Sequence, residues 1–290
     1  MKPIILTMCM LLCLGANAQR YSDNTNLNID VSQYEIVHIY NTGGETSVKV
    51  SSGNNLRLDA TRKIKAKSDR KLEEAKADIF LDTSVVDGAL IIYVENPYRV
   101  LKGDYDNDHF YYTSRHNGGH YGNGWGNNGV DFTFDMDITL PPTTTLIVST
   151  HRGDLEVDGV RGALRAVNHH GNVSLNDVKV LHYAHSHHGD VEVSFVSQPD
   201  NDMSFDTHHG DIRVSFPQAP SAEIEFDSHH GSFYTDFDWN PSKAQLEVNK
   251  SKRRRGTKYK IGDRTKVSMG QGNHKMTFDT HHGDMYILKN

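Results

Sequence analysis

From residue 146 to residue 288, apolar and polar side chains alternate in short runs, and a glycine breaks each run at a matching place. The six breaks read "STHRGDLEV", "VNHHGNVSL", "SHHGDVEV", "DTHHGDIRV", "DSHHGSFYT" and "DTHHGDMYI". Aligned on Gly153, Gly171, Gly189, Gly210, Gly231 and Gly283, they are spaced 18, 18, 21, 21 and 52 residues apart. Two and four residues after the glycine the positions are apolar, as at Leu155 and Val157 or Ile212 and Val214. Five and seven before it they are apolar again, as at Val148 and Leu146 or Phe205 and Met203; His182 interrupts the latter column. Side chains alternate faces along a strand. The apolar parity changes across the glycine, so the chain must turn a corner there to keep one interior. A period near twenty residues, with one corner copied six times, predicts an all-β fold. The predicted form is a single-stranded, right- or left-handed parallel β-solenoid, β-helix-like, with two loop insertions. Its corners would stack at the usual strand spacing, with the glycine in a conformation that a Cβ opposes. An antiparallel sandwich also alternates, but it gives no reason to repeat one corner sequence.

Upstream, "NLNIDVSQYEIVHIYNTGG", "TSVKVSSGNNLRLDATRK" and "GALIIYVENP" read as strands, with turns near Gly43-Gly44 and Gly53-Asn54-Asn55. "AKSDRKLEEAKADIF" is charged, and its helical pattern is short. Residues 99–129 are rich in glycine and asparagine, with aromatics between them, and predict a long surface excursion. Residues 240–268 form the second insertion, which carries the basic run "KSKRRRGTKYK".

Residues 1–18, "MKPIILTMCMLLCLGANA", have a lysine, an apolar run and the small-x-small site Ala16-Asn17-Ala18. This is the pattern of a secretory leader. The expected organisation is therefore a signal peptide over 1–18 and one β-solenoid domain over 19–290. Cys9 and Cys13 both lie in the leader, so no disulfide is expected in the mature chain. With 31 Lys and Arg against 37 Asp and Glu, nothing in the overall charge points to nucleic acid. No second apolar run approaches the length of a membrane span.

Two columns carry the candidate chemistry. Two residues before the glycine stand His151, His169, His187, His208, His229 and His281; one before it stand Arg152, His170, His188, His209, His230 and His282. Strand parity turns the first column outward and the second inward. An inward column of stacked imidazoles would make stability fall toward pH 5. An outward row four before the glycine, Asp206, Asp227 and Asp279, stands ready to accept hydrogen bonds from imidazole. The columns read either as a structural ladder or as ligands for Zn, Cu or Ni, since neutral imidazole suits these metals. The candidate ligands are His169, His170, His187, His188, His208, His209, His229, His230, His281 and His282. There is no HExxH motif and no GxSxG context. Asp154, Asp190, Asp211 and Asp284 belong to the repeat itself. Equivalent repeat positions do not push two carboxyl pKa values apart as glycoside hydrolysis needs. No enzyme activity is expected. Tyr111, Tyr112, Tyr121 and Trp125 in the first insertion, and Arg253, Arg254 and Arg255 in the second, are candidate binding surfaces.

"THRGDLEV", "SHHGDVEV" and "THHGDIRV" resemble the corner frame of a family of exported bacterial envelope proteins named as candidate adhesins, of the DUF4097 type. His188 and His209 stand where that frame commonly has a small polar residue. "GALIIYVENP" resembles the strand before the family's central insertion. "ITLPPTTTLIVSTHRGD" resembles its proline-marked approach to the repeat, and "VSMGQGNHKMTFDTHHGD" its last glycine-pair coil. The resemblance covers roughly residues 27–290. It implies a β-helix-like surface or structural module, with "AKSDRKLEEAKADIF" as a connection between strands, and it brings no catalytic residues. The expected function is a non-catalytic exported or cell-envelope β-repeat protein with adhesin-like or structural binding. The alternative is a metal-binding envelope protein that uses the histidine array. Apart from such a divalent transition metal, no cofactor is expected. Partners would be an envelope or host glycan or protein. The location would be periplasmic, outer-membrane-associated or extracellular.

Overall fold

A computed structural model describes residues 18–104, 109–114, 129–241, 251–253, 256–259 and 265–290. The leader predicted over 1–18 lies outside them, save Ala18. Two large mixed sheets, of 12 and 11 strands, make up the body of an all-β fold. Strands that precede a corner glycine lie in one, here the leading sheet; those that follow it lie in the other, the trailing sheet. One leading and one trailing strand joined at a glycine make a rung.

Within each sheet the rungs pair in parallel. Leu146–Arg152 pairs with Ala163–His170 in the leading sheet, and Leu155–Asp158 with Val173–Val178 in the trailing sheet, in matched register. The register brings equivalent repeat positions together: Phe205 opposes Phe278, and Phe278 opposes Phe226. The ring centroids of these two pairs are 4.8 and 5.3 Å apart. The expected apolar columns are buried, with Val148, Ala166, Ala184 and Phe205 all at 0 % exposure. One column position differs. A register shift between Leu164 and Arg165 and their partners puts Leu181 opposite Leu164. Leu181 is buried and His182 exposed, so an irregularity in the ladder repairs the column that His182 interrupts.

The order of rungs is not the order of the chain. Met203–His209 pairs with His274–His282, and that strand pairs in turn with Ala222–His230. The C-terminal rung, with its corner at Gly283, therefore lies between the rungs of Gly210 and Gly231. A further rung lies at the other end. Ile36–Asn41 and Thr46–Val50 pair in parallel with the strands on either side of Gly153. The turn at Gly43-Gly44 is thus another corner of the stack. Antiparallel pairs close both ends: Phe80–Val86 on Ala89–Glu95, Asn55–Ala66 on Val130–Leu140, and Thr265–Met269 on Ala222–His230.

Residues 69–78, read from sequence as a connection between strands, form a helix, Asp69–Asp78. Ser68 caps it by accepting the Lys71 N–H at 3.4 Å, and Arg70 pairs with Glu74 at 2.6 Å across one turn. Ala75 is buried and Leu72 packs on the core. Arg62, 9 % exposed, ties the helix down. Its guanidinium donates to the Lys76 and Ile79 carbonyls and pairs with Asp23 at 2.7 Å. With only Leu72 and Ala75 on the core, the helical pattern is weak in sequence; the cap and the arginine supply the rest.

Candidate functional site

The corners explain three columns of the repeat. A Cβ built on Gly189 or Gly210 would lie 2.2 Å from the carbonyl oxygen of the preceding rung's glycine. Gly153 and Gly171 also have φ of 94° and 133°, which side chains resist. The rungs can therefore stack this closely only on glycine.

Three residues before each glycine stand Thr150, Asn168, Ser186, Thr207, Ser228 and Thr280, a column whose order in the sequence carried a signal that went unread. These small polar side chains point inward. Asn168 Nδ2 donates to Gly153 O at 2.8 Å, Ser186 Oγ to Gly171 O at 2.7 Å and Thr207 Oγ1 to Gly189 O at 3.0 Å. In the extra rung Asn41 Nδ2 donates to Phe134 O at 2.7 Å. A buried carbonyl without a donor is costly. Ser186→Ala is therefore expected to lower stability by about 1–2 kcal/mol, read from urea melts. Melts that match the parent would show that this hydroxyl does not support the corner.

One residue after the glycine, Asp154, Asp190, Asp211 and Asp284 each accept the backbone N–H of the next rung's equivalent residue. The distances are 2.8 Å to Asn172, Asp211, Asp284 and Ser232. The acidic row is thus a corner fastener. Asp190 and Asp211 also bind Arg213, at 3.0 and 2.5 Å. A concavity lined by Glu45, Asp154, Glu156 and Glu192 opens on the trailing sheet, with Asp154 of the fastening row in its wall.

The histidines form the solvent-facing part. The column one before the glycine was expected inward, but His170, His188, His209, His230 and His282 are exposed. The residue three before the glycine already fills the inward place, and the chain turns outward before the next one. Both columns therefore run along the same outer edge. In the first, His169, His187, His208, His281 and His229 follow one another at ring distances of 4.8, 5.0, 4.9 and 5.0 Å, within 18° of parallel. In the second, His170, His188, His209, His282 and His230 follow at 4.9, 5.2, 5.1 and 5.0 Å. Within a rung the two rings stand edge to face, 4.2 Å apart for His187 and His188 and 4.3 Å for His208 and His209. His229 Nδ1 and His230 Nε2 are 3.0 Å apart. The ladder is unbroken because the Gly283 rung supplies His281 and His282 between rungs that the chain separates.

Burial, then the charge of Arg99 and the neighbouring imidazoles, pushes His151 down to about 3. Burial and His170, then His187 and His188, push His169 down to about 4. His170 and His187 are lowered by burial first and by neighbouring imidazoles next. Of the expected outward acceptors, Asp206 does bind an imidazole. Asp206 accepts from His185 at 2.9 Å, a residue of its own column and not of the ladder. Among the described residues, no group of three or more His, Cys, Asp or Glu side chains converges to hold a metal ion.

Tyr111 and Tyr112 lie on His109–Ser114, a strand paired antiparallel with Arg99–Asp104. Arg253 ends Ser251–Arg253. Tyr121, Trp125, Arg254 and Arg255 lie outside the described residues. No helix among the described residues is long and apolar enough to cross a membrane.

A family model described as Toastrack DUF4097 matches residues 131–287. No curated protein matches the chain. Several solved structures are similar. A candidate cell adhesion protein from Clostridium sporogenes is 10% identical, covering 93% of this chain and 100% of its own, with a TM-score of 0.39. A candidate adhesin from Bacteroides fragilis is 12% identical, covering 92% and 97%, with a TM-score of 0.32. Another from Parabacteroides distasonis is 12% identical over the same shares, with a TM-score of 0.30.

Proposed function

We propose that this chain, which belongs to the Toastrack DUF4097 family, is an exported, non-catalytic binding module of the cell envelope. Its parallel central ladders are read as a solenoid of two strands per coil, closed at its ends by antiparallel pairs. A rigid stack of this kind offers long lateral edges, and extended edges are where repeat proteins bind. The observation that carries the reading is the unbroken outer edge of paired imidazoles. The corners need glycine, the inward polar residue and, at four of them, the aspartate that follows; the exposed histidines satisfy none of those demands. Their repetition across rungs is therefore assigned to contact with something outside the chain. Envelope glycans or proteins are the adhesin-like partners proposed for that edge.

Two measurements test this. The protein secreted by cells is expected to begin at Gln19, and its mass reads that directly; an intact leader in the mature protein would sink the export reading. Purified protein is then offered envelope fractions and arrayed glycans, beside a variant with His170, His188, His209, His230 and His282 all changed to Gln. Binding is expected to fall at least about tenfold in the variant, as loss of several central contacts does. Equal binding by the two would remove the ladder as the contact face, and no binding by the parent would remove adhesion.

A further inference from the structure

We propose that the paired histidines of each rung chelate a divalent transition metal, Zn2+, Ni2+ or Cu2+, so that the edge loads several ions in a row. This rests on the reading above that the ladder is the working surface. It adds a ligand class and a pattern of loading.

The geometry favours chelation within a rung. Imidazole nitrogens bind zinc at about 2.0–2.1 Å, so two of them on one ion lie at most about 4.2 Å apart. Stacked neighbours in a column are near-parallel and about 5 Å apart, 5.0 Å for His187 and His208 and 5.2 Å for His188 and His209. Their equivalent nitrogens are separated by about the same distance, too far for one ion. Within a rung the rings are closer and turned edge to face. His229 Nδ1 and His230 Nε2, at 3.0 Å, already have nearly the separation of two ligands on one tetrahedral ion. In the His187 rung the Nδ1 atom is enclosed and has no hydrogen-bond partner.

The donor chemistry selects the metal. Imidazole suits Zn2+, Ni2+ and Cu2+, whereas Ca2+ and Mg2+ need several convergent oxygens. The neighbouring carboxylates of Asp190, Asp211 and Asp284 are committed to backbone N–H groups of the next rung. They add negative potential beside the ladder without forming an oxygen cage. Each rung supplies two protein ligands, and water would fill the remaining positions. Such sites are open and exchangeable, as a contact surface requires.

The spacing also limits the loading. Ions on adjacent rungs would be two positive charges each at about 5 Å. At physiological salt that repulsion weakens the second ion roughly tenfold or more. Alternate rungs, about 10 Å apart, are largely relieved. Five histidine pairs stand in the spatial order Gly171, Gly189, Gly210, Gly283 and Gly231. Alternate loading fills the first, third and fifth of them.

The test is equilibrium dialysis of the untagged full chain against NiCl2 at pH 7.5, with folding followed by circular dichroism. The parent is expected to take up close to three ions with micromolar affinity. The variant with His170, His188, His209, His230 and His282 changed to Gln leaves one imidazole per rung and is expected to bind at least tenfold more weakly while keeping its fold. The pair His208→Gln with His209→Gln is expected to reduce uptake to two ions. Absence of saturable uptake by the parent, or equal uptake by the five-site variant, would overturn the proposal. Uptake of five ions at one affinity would overturn alternate loading. Envelope binding is read separately, so attachment that persists without metal uptake would sink this inference and leave the binding module intact. Uptake without attachment would do the reverse.

Discussion

Gly283→Ala is expected to destabilise the protein by at least about 3 kcal/mol, enough to prevent folding in a marginal background. The added Cβ would sit 1.8 Å from the Gly210 carbonyl oxygen and 2.6 Å from its carbon. Both atoms are backbone in the adjoining rung, and that rung is held by its own parallel ladders on both faces. Neither rung can retreat without breaking hydrogen bonds along two strands. The position also closes the gap between the rungs of Gly210 and Gly231, so the damage would reach the histidine edge. Gly53→Ala is the control. Gly53 has a φ of 98°, yet a Cβ there would meet nothing within 4 Å. It isolates the conformational cost, about 1 kcal/mol. Chemical denaturation of both variants measures the difference. Equal losses would mean that close stacking is not what the corner glycines provide.

Lowering the pH from 7.5 to 5 is expected to cost the fold about 2 kcal/mol through His151 and His169 alone, after allowance for screening by solvent. Their folded values, about 3 and about 4, lie below the unfolded value near 6.5. Above that value both states are neutral at these sites and the histidines do not discriminate. As pH falls below 6.5 the unfolded chain takes up protons that the folded chain refuses, so stability declines. The decline is complete only once pH has passed the folded values. The melting temperature should therefore fall by roughly 5 °C over this interval. His151→Gln with His169→Gln should flatten much of the decline. The second column, which sequence parity placed inward, faces solvent instead. A double variant as pH-sensitive as the parent would show that these two rings are not kept neutral by the fold.

The sequence made the corner legible because its requirements are local. A glycine must stand where rungs touch, apolar side chains must alternate on either side, and both patterns recur at each break. The alternation placed the buried columns correctly at Val148, Ala166, Phe205 and Phe278. It also made the inward column of Asn168, Ser186 and Thr207 available, though alternation alone does not announce a polar residue as interior. Near the corner the same rule failed. The residue before the glycine already belongs to the turn, so parity counted from the strand points His188 and His209 the wrong way.

What only the tertiary structure decided is long-range. Periodicity carries no instruction about which rung lies beside which, and nothing in residues 232–273 announces that the last rung inserts between two earlier ones. Packing decides it: Phe278 fits between Phe205 and Phe226, and Thr265–Met269 takes the outer edge of Ala222–His230. The Gly44 rung lacks the histidines, so only its pairing with Leu146–Arg152 and Leu155–Asp158 reveals it. The register shift that buries Leu181 in place of His182 likewise answers to a neighbouring strand. The repeat unit is therefore written in the sequence, because steric and alternation rules act within a few residues. The continuous double ladder exists only in the folded stack, because it depends on contacts between segments more than seventy residues apart, such as Asp211 with Asp284.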